Sequence, residues 1–210
     1  QTNTTNGLYT QSTNNSIFVN NTANVSSGGA FRIGPNSQNN NLTSNTGLAT
    51  TGQGFRVENA TQNSFYNNTA NTSGTGTGFL LEYSSYTNIT RMNISAGNGY
   101  QFDSSNYTRI IDCAQMTTAV YAVDVQSNTG SVENILLNCN YSAGEDISGA
   151  NNWIERQWWF DGNVSNSTGP LNNANISVYN VTGSMVGSAV TDVNGNIDRF
   201  GVAEYRNTSG

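Results

Sequence analysis

The chain has 210 residues, of which 35% are hydrophobic and only 10% are charged, so ordinary core formers and ordinary solubilising groups are both scarce. Its net charge of −6 and its pI near 4.3 argue against nucleic acid as a partner, because no basic patch is available to neutralise phosphates. The low charge also argues against disorder, which normally combines low hydrophobicity with high net charge. No run of about 18 apolar residues occurs, so we expect no membrane span in this segment.

A period of 21 to 24 residues runs through the first two thirds of the chain. Each unit opens with an aromatic residue, and the last five units share a four-residue phrase: FRIG, FRVE, FLLE, YQFD and YAVD. Positions one and three of the phrase are apolar, and positions two and four mostly are not, as in a strand with one buried face. A second short strand follows in each unit, centred on Phe18, Leu42, Phe65, Ile89, Ile110 and Ile135.

Such a strand–turn–strand unit cannot bury its apolar face alone, but copies stacked on one another can. Parallel pairing about 4.8 Å apart would place like residues in columns, so that about six rungs form a rod. The predicted inner columns are Phe31, Phe55, Phe79, Tyr100 and Tyr121, with Ile33, Val57, Leu81, Phe102 and Val123 beside them. Asn21, Asn45 and Asn68 are predicted to form an asparagine ladder at a turn. The sequence therefore predicts an all-β fold, with a parallel β-helix over residues 1–148.

The stretch GFRVENATQNSFYNNT, which begins at Gly54, carries the pattern Gly-apolar-x-apolar, a polar turn, and then Asn-x-apolar-x-x-Asn. This pattern resembles the repeat of right-handed parallel β-helix proteins of the pectate-lyase-like and NosD-like kind. The resemblance covers about residues 7 to 140 and implies a right-handed helix. It does not imply one activity, since such proteins include lyases, hydrolases, carbohydrate-binding modules, tailspikes and structural surface proteins.

The fourth position of the rung phrase places four acids in one predicted outer column: Glu58, Glu82, Asp103 and Asp124. Because neighbouring carboxylates about 5 Å apart repel one another, the column suggests either a Ca²⁺ site or a glycosidase pair. Alternatively, the acids bond to turn N–H groups in water and have no function, with Arg32 and Arg56 neutralising them in part. Ca²⁺ at this column is the one cofactor that the sequence suggests.

Catalysis has little support in the sequence. His and Lys are both absent, so general bases are limited to carboxylates, Tyr or an unusual Arg. The hydrolases that the repeat resembles carry Asn-Thr-Asp, Asp-Asp and Gly-His-Gly motifs, and the lyases use a Lys; none of these is present. We therefore expect a protein that is not an enzyme.

Cys113 and Cys139 lie one rung apart in the predicted stack, each just after an apolar pair. Stacked neighbours have Cα atoms about 5 Å apart, which is within the range of a disulfide. In an exported protein a disulfide closing the last rung is expected; the alternative is two buried free thiols.

After Cys139 the repeat stops, and the segment NNWIERQWWF contains all three Trp residues. Trp158 and Trp159 could stack on sugar rings, or the segment could cap the open end of the solenoid. The following "GPLNNANISVYN…TDVNGNI" resembles the carboxypeptidase-regulatory-like, immunoglobulin-like sandwich of many surface proteins. The prediction for residues 149–210 is therefore an antiparallel β-sandwich. Only about four strands fit where a sandwich usually needs seven, so we expect either further chain or a neighbouring molecule to complete it.

Asn-x-Ser/Thr sequons are the most frequent motif. They begin at Asn3, Asn14, Asn20, Asn24, Asn41, Asn59, Asn67, Asn71, Asn88, Asn93, Asn106, Asn140, Asn163, Asn166, Asn175, Asn180 and Asn207. Composition alone could produce many of them; the alternative is a heavily N-glycosylated, exported protein whose glycans supply the hydration that charges do not.

Together these features predict a structural cell-surface glycoprotein, as a subunit or fragment of an extracellular filament, sheath, S-layer or adhesin. Its partners would be copies of itself or neighbouring surface proteins. The chain begins at Gln1 without a signal peptide, so we expect it to be a piece of a longer product. The combination of repeat, sandwich and sequons resembles archaeal surface proteins. The alternative is a carbohydrate-binding module or a polysaccharide-degrading β-helix protein.

Overall fold

A computed structural model of the protein describes residues 6–127 and 129–209, and every regular element within them is a β-strand. The strands of the first three turns are β1 (Asn6–Thr10), β2 (Ile17–Val19), β3 (Thr22–Val25), β4 (Gly29–Ile33), β5 (Asn41–Thr43), β6 (Thr46–Ala49), β7 (Gln53–Glu58), β8 (Ser64–Tyr66) and β9 (Thr69–Thr72). The following turns contain β10 (Thr77–Glu82), β11 (Asn88–Thr90), β12 (Asn93–Asp103), β13 (Arg109–Ile111), β14 (Gln115–Gln126), β15 (Asn134–Leu137), β16 (Gly144–Ser148) and β17 (Trp153–Phe160). The remaining strands are β18 (Ser165–Asn166), β19 (Gly169–Pro170), β20 (Asn175–Tyr179), β21 (Met185–Val190) and β22 (Phe200–Thr208).

The chain coils into a parallel β-solenoid of about seven turns, one more than the sequence predicted. Strands β1, β4, β7 and β10 stack on the first face, and β2, β5, β8, β11, β13, β15 and β17 stack on the second. A third face, which the sequence did not predict, consists of β3, β6, β9 and the first part of β12. The long β12 and β14 run around the corner between the third and first faces and join them into one ten-stranded sheet.

The core is built from columns of identical or similar side chains, as the repeat predicted. Phe31, Phe55 and Phe79 stack in register on the first face, with ring centroids 5.0 and 5.8 Å apart and nearly parallel planes. Phe65 of the second face meets Phe79 edge-on, with the two centroids 4.8 Å apart. These rings are fully buried, and pairs in such geometry stabilise a core beyond the apolar area that they bury.

The glycines that precede Phe55 and Phe79 let the first and third faces approach one another. A Cβ on Gly54 would lie 2.5 Å from the Cβ of Ala70 on the third face, and a Cβ on Gly78 would lie 2.5 Å from Ile94. No side chain fits into that space without moving backbone. The Gly-aromatic phrase therefore marks a corner of the solenoid as well as the start of a strand.

Asparagine ladders connect the turns. The predicted ladder is confirmed: Asn21 donates from its side-chain amide to Asn45 Oδ1 at 3.0 Å, and Asn45 donates to Asn68 Oδ1 at 3.1 Å. A second ladder, which the sequence did not predict, joins Asn40 to Asn63 at 3.0 Å in the turn before the second face. Except for Asn21 at the end, these side chains are buried, and each buried amide also bonds backbone groups of the preceding turn.

The predicted column positions of Tyr121 and Val123 are wrong because the register shifts where β14 joins β12. Ala96 pairs with Thr118, whereas Asn98 pairs with Tyr121, so β14 contains one extra residue. As a result Tyr100 pairs with Val123, and Tyr121 lies outside the inner column. A one-residue slip also moves a side chain to the opposite face of a strand. On the second face, likewise, Ile110 pairs with Leu136 and not with Ile135.

The sandwich predicted for residues 149–210 is not shown in the structure. Strand β17 instead continues the second face across the predicted boundary, and β22 pairs with β17 in antiparallel orientation. Between them, β18 and β19 form one short hairpin, and β20 and β21 form another. Because β22 pairs with the outer edge of β17, no further parallel strand can add there. This end of the second face is therefore capped.

Candidate functional site

Three of the four predicted acids, Glu58, Glu82 and Asp103, lie in one column, and the first two are paired with arginines. Glu58 and Glu82 are partners in register on the first face. Arg32 forms an ion pair with Glu58, and Arg56 bridges the two acids, with Nη2 lying 3.3 Å from Glu58 Oε2 and 2.6 Å from Glu82 Oε2. The alternating charges offset the repulsion between Glu58 and Glu82, which was part of the reason for expecting Ca²⁺ at this column.

Only Asp124 lies outside this column. Asp103 is in register with Glu82, but the shift in β14 places Asp124 beside Gln101, so the predicted column of four is wrong. Burial raises the pKa of Asp124, a hydrogen bond from Gln126 opposes the shift, and Asp146 adds to it. Within residues 6–127 and 129–209, no three Asp, Glu, Cys or His residues lie close enough together to hold a metal ion.

Cys113 and Cys139 form a disulfide between consecutive turns, with their Cα atoms 4.8 Å apart. Cys139 is fully buried, and Cys113 is partly buried and packs against the main core. The bond closes a loop that contains the long β14, the strand in which the register shifts.

Trp158 and Trp159 point to opposite faces of β17 and do not form one platform. The indole N–H of Trp158 donates to Glu204, and that of Trp159 donates to Asp112 at 2.9 Å. Arg199 lies over the Trp159 ring, 4.7 Å from its centroid. Both indoles are partly buried and hold β17 to its neighbours, which is the geometry of a cap.

The hydrogen bonds at Asp112 set its charge state. Partial burial would raise its pKa, but bonds from Asn138 and Trp159, with the charges of Arg199 and Arg91, outweigh that effect. The pKa of Asp112 is therefore held below its usual value, and the carboxylate stays ionised where it anchors Trp159.

The asparagines of this protein divide into two groups according to burial. The buried ones are Asn40, Asn45, Asn63, Asn68, Asn134 and Asn152, and none of them begins a sequon. Every sequon asparagine in the described residues is exposed or partly exposed; Asn3 lies outside them. Asn93, Asn106 and Asn207 are the partly exposed ones.

Sequons that share a column are never in adjacent turns of the described solenoid. Asn41 and Asn88 have Ser64 between them, and Asn24 and Asn71 have Leu48 between them. Two turns correspond to about 9.6 Å at the usual strand spacing. This separation leaves room for a glycan at both members of each of these pairs.

A groove that the sequence did not predict lies beside the second face at its final turns. We call it the tyrosine–tryptophan groove; it has a volume of about 550 Å³ and is lined by Tyr86, Tyr107, Arg109, Glu133, Trp153 and Glu155, among others. Its residues come from different units and from the turns, where no periodic signal connects them. The only hint in the sequence is Tyr at equivalent turn positions of two successive units.

No protein-family model, no curated protein and no solved structure matches this sequence. The described residues include no helix of the length and apolarity needed to cross a membrane.

Proposed function

We propose that the protein is a non-catalytic, N-glycosylated rod of a cell surface. It would serve as a subunit or part of an extracellular filament, sheath, S-layer or adhesin, with copies of itself or other surface proteins as partners. The observation that carries this proposal is the division of the asparagines. Those in sequons are exposed or partly exposed, whereas the ladder asparagines other than Asn21 are buried, and no ladder asparagine begins a sequon.

The division matters because a random distribution of sequons would have placed some of them on ladder asparagines, where a glycan could not be accommodated. The disulfide between Cys113 and Cys139 agrees with an oxidising compartment. The paired charges of Arg32, Glu58, Arg56 and Glu82 support a structural role for the first face.

The resemblance of the repeat to NosD-like proteins supports an archaeal cell-surface setting as part of the proposal. We also propose an immunoglobulin-like or carboxypeptidase-regulatory-like module at residues 149–210. The antiparallel pairing of β20 with β21 supports such a module, since that pairing is typical of sandwich strands.

Intact mass spectrometry of protein purified from its natural source tests the glycosylation. We expect the mass to exceed that of the same polypeptide after enzymatic or chemical removal of glycans, with peptide mapping placing glycans at exposed sequons such as Asn41, Asn71 and Asn88. An unmodified mass would contradict the proposal.

Electron microscopy of the same material tests the assembly. Regular filaments or lattices are expected, because a rod with a structural role must contact its neighbours repeatedly. Separate single rods at every concentration and ionic condition examined would remove the structural role.

A further inference from the structure

The proposed structural role does not explain the presence of the tyrosine–tryptophan groove. Its volume of about 550 Å³ lies within the range of about 300–1,000 Å³ that is usual for small-molecule sites. It lies at the last turns of the solenoid, next to the capping strand β22, and away from the disulfide and the paired charges of the first face.

Aromatic rings form two sides of the groove. The Tyr86 and Tyr107 rings stack with their centroids 4.8 Å apart and their planes within 4° of parallel, and the two residues remain 54% and 40% exposed. Trp153 is partly buried, and the guanidinium carbon of Arg206 lies 4.1 Å from its ring centroid. Exposed aromatic faces in a concave site favour ligands that present apolar C–H groups.

The backbone at the two tyrosines is strained. Tyr86 and Tyr107 both have φ of 57°, in the left-handed region, where earlier turns of the same column have Asn15, Asn39 and Gln62. Asparagine adopts this conformation more easily than a bulky side chain does. Folding alone would therefore favour asparagine at both positions, and strained residues often belong to functional sites.

The charges in the groove balance one another. Glu155 accepts a hydrogen bond from Arg206 at 2.9 Å, while Arg109 and Glu133 are exposed and have no side-chain partner among the described residues. An anionic ligand would meet both carboxylates, and a cationic ligand would meet both guanidinium groups. A wholly apolar ligand would remove Arg109 and Glu133 from water without replacing their hydrogen bonds.

We propose that the tyrosine–tryptophan groove binds a neutral saccharide. The apolar C–H face of a pyranose ring stacks on Tyr107 and Trp153. The hydroxyl groups accept hydrogen bonds from Arg109 and donate to the carboxylate of Glu133, which suits the donor and acceptor capacities of these side chains.

The test is isothermal titration calorimetry of the full 210-residue chain with neutral trisaccharides (mannotriose, cellotriose and N,N′,N″-triacetylchitotriose) and with the acidic trigalacturonate. We expect at least one neutral trisaccharide to bind, with little or no heat from trigalacturonate. The double variant Tyr86→Asn/Tyr107→Asn should weaken that binding about tenfold or more, because the stacking surface is lost. The variant Glu133→Gln should also weaken it.

Tyr83→Asn is the matched control. Tyr83 is an exposed tyrosine with φ of 47° in another turn and does not line the groove, so this variant relieves similar strain and should leave binding unchanged. Thermal unfolding of each variant checks that the fold is retained. The proposal is overturned by an absence of binding to every neutral trisaccharide up to about 10 mM, by binding of trigalacturonate alone, or by equal affinity in the groove variants. The titration requires neither assembly nor glycosylation, so its outcome is independent of the proposed structural role.

Discussion

At the scale of single residues, asparagine has three different tasks in this molecule. In the ladders its amide donates to one turn and accepts from another, and in the corners it adopts left-handed backbone at positions such as Asn20 and Asn67. On the surface it begins sequons, and Asn67 combines the second and third tasks. One residue type therefore replaces the charged groups that a typical soluble protein would use.

The variant Asn45→Ala should lower the free energy of unfolding by about 3 kcal/mol, because buried polar groups that lose a partner cost about 1–3 kcal/mol each. Asn45 donates to the Phe18 carbonyl and to Asn68, and both acceptors would lose that bond. Urea unfolding of unglycosylated protein measures the change. The exposed Asn71→Ala is the control and should alter the free energy by less than about 0.5 kcal/mol. Similar losses in the two variants would contradict the ladder's role.

The variant Asp124→Asn should stabilise the protein at neutral pH. Burial raises the pKa of Asp124, so the folded state binds its proton more tightly than the unfolded chain does. Stability therefore falls as the pH rises from the usual Asp value of 3.8 through the folded pKa, and the amide removes this loss. Denaturant unfolding at pH 7 and below pH 3.8 should show a gain only at the higher pH. An equal gain at both pH values would disprove the explanation, and the exposed Asp161→Asn should change neither.

At the scale of elements, the sequence predicts what repeats and fails where the repeat is broken. The phenylalanine column and the first asparagine ladder follow from the period, because identical residues recur at fixed spacing. The sequence did not predict the third face, because strands such as Thr22–Val25 are only four residues long and too short for their alternation to stand out. The register shift depends on one extra residue inside β14, which no local pattern marks.

The candidate sites, too, could be predicted only where their residues lie one period apart. The sequence could place Glu58 beside Glu82 and Cys113 beside Cys139, because each pair lies one period apart. It could not assemble the tyrosine–tryptophan groove, which draws Tyr107 from one turn and Trp153 from another after the period has ended.

The disulfide should stabilise the last turns of the solenoid. Replacing both cysteines, as Cys113→Ala/Cys139→Ala, is expected to lower the free energy of unfolding by about 3 kcal/mol, from the chain entropy of a loop of this length. Chemical denaturation of the double variant measures the loss, and a reducing agent should destabilise only the unaltered protein. If reduction had no effect on the unaltered protein, the bond would not contribute to stability.

At the scale of the whole molecule, the solenoid is a stack in which each turn contacts only its neighbours. Its second face ends in an antiparallel pair: β22 covers β17, with Phe160 and Phe200 in contact at a centroid distance of 5.5 Å. Arg206 forms an ion pair with Glu155 across the same pair of strands. The cap therefore combines backbone, aromatic and charge contacts.

Removal of residues 199–210 should convert the protein into a self-associating species. Without β22, the backbone groups along one edge of β17 are free to pair with another molecule. Size-exclusion chromatography with light scattering should show oligomers or aggregates, and the melting temperature should fall. A truncated chain that stays monomeric with unchanged melting would show that β22 does not protect this edge.

The hydrogen bonds between turns run parallel to the long axis of the solenoid. A force that pulls its two ends apart would therefore break the hydrogen bonds of one turn after another. It would not shear a whole sheet at once. The Cys113–Cys139 bond limits this extension, because the 26-residue separation that it spans cannot be stretched while the bond is intact. About 90 Å of chain could not be extended until the bond is reduced. The maximum length of the molecule under tension therefore depends on the redox state of its surroundings.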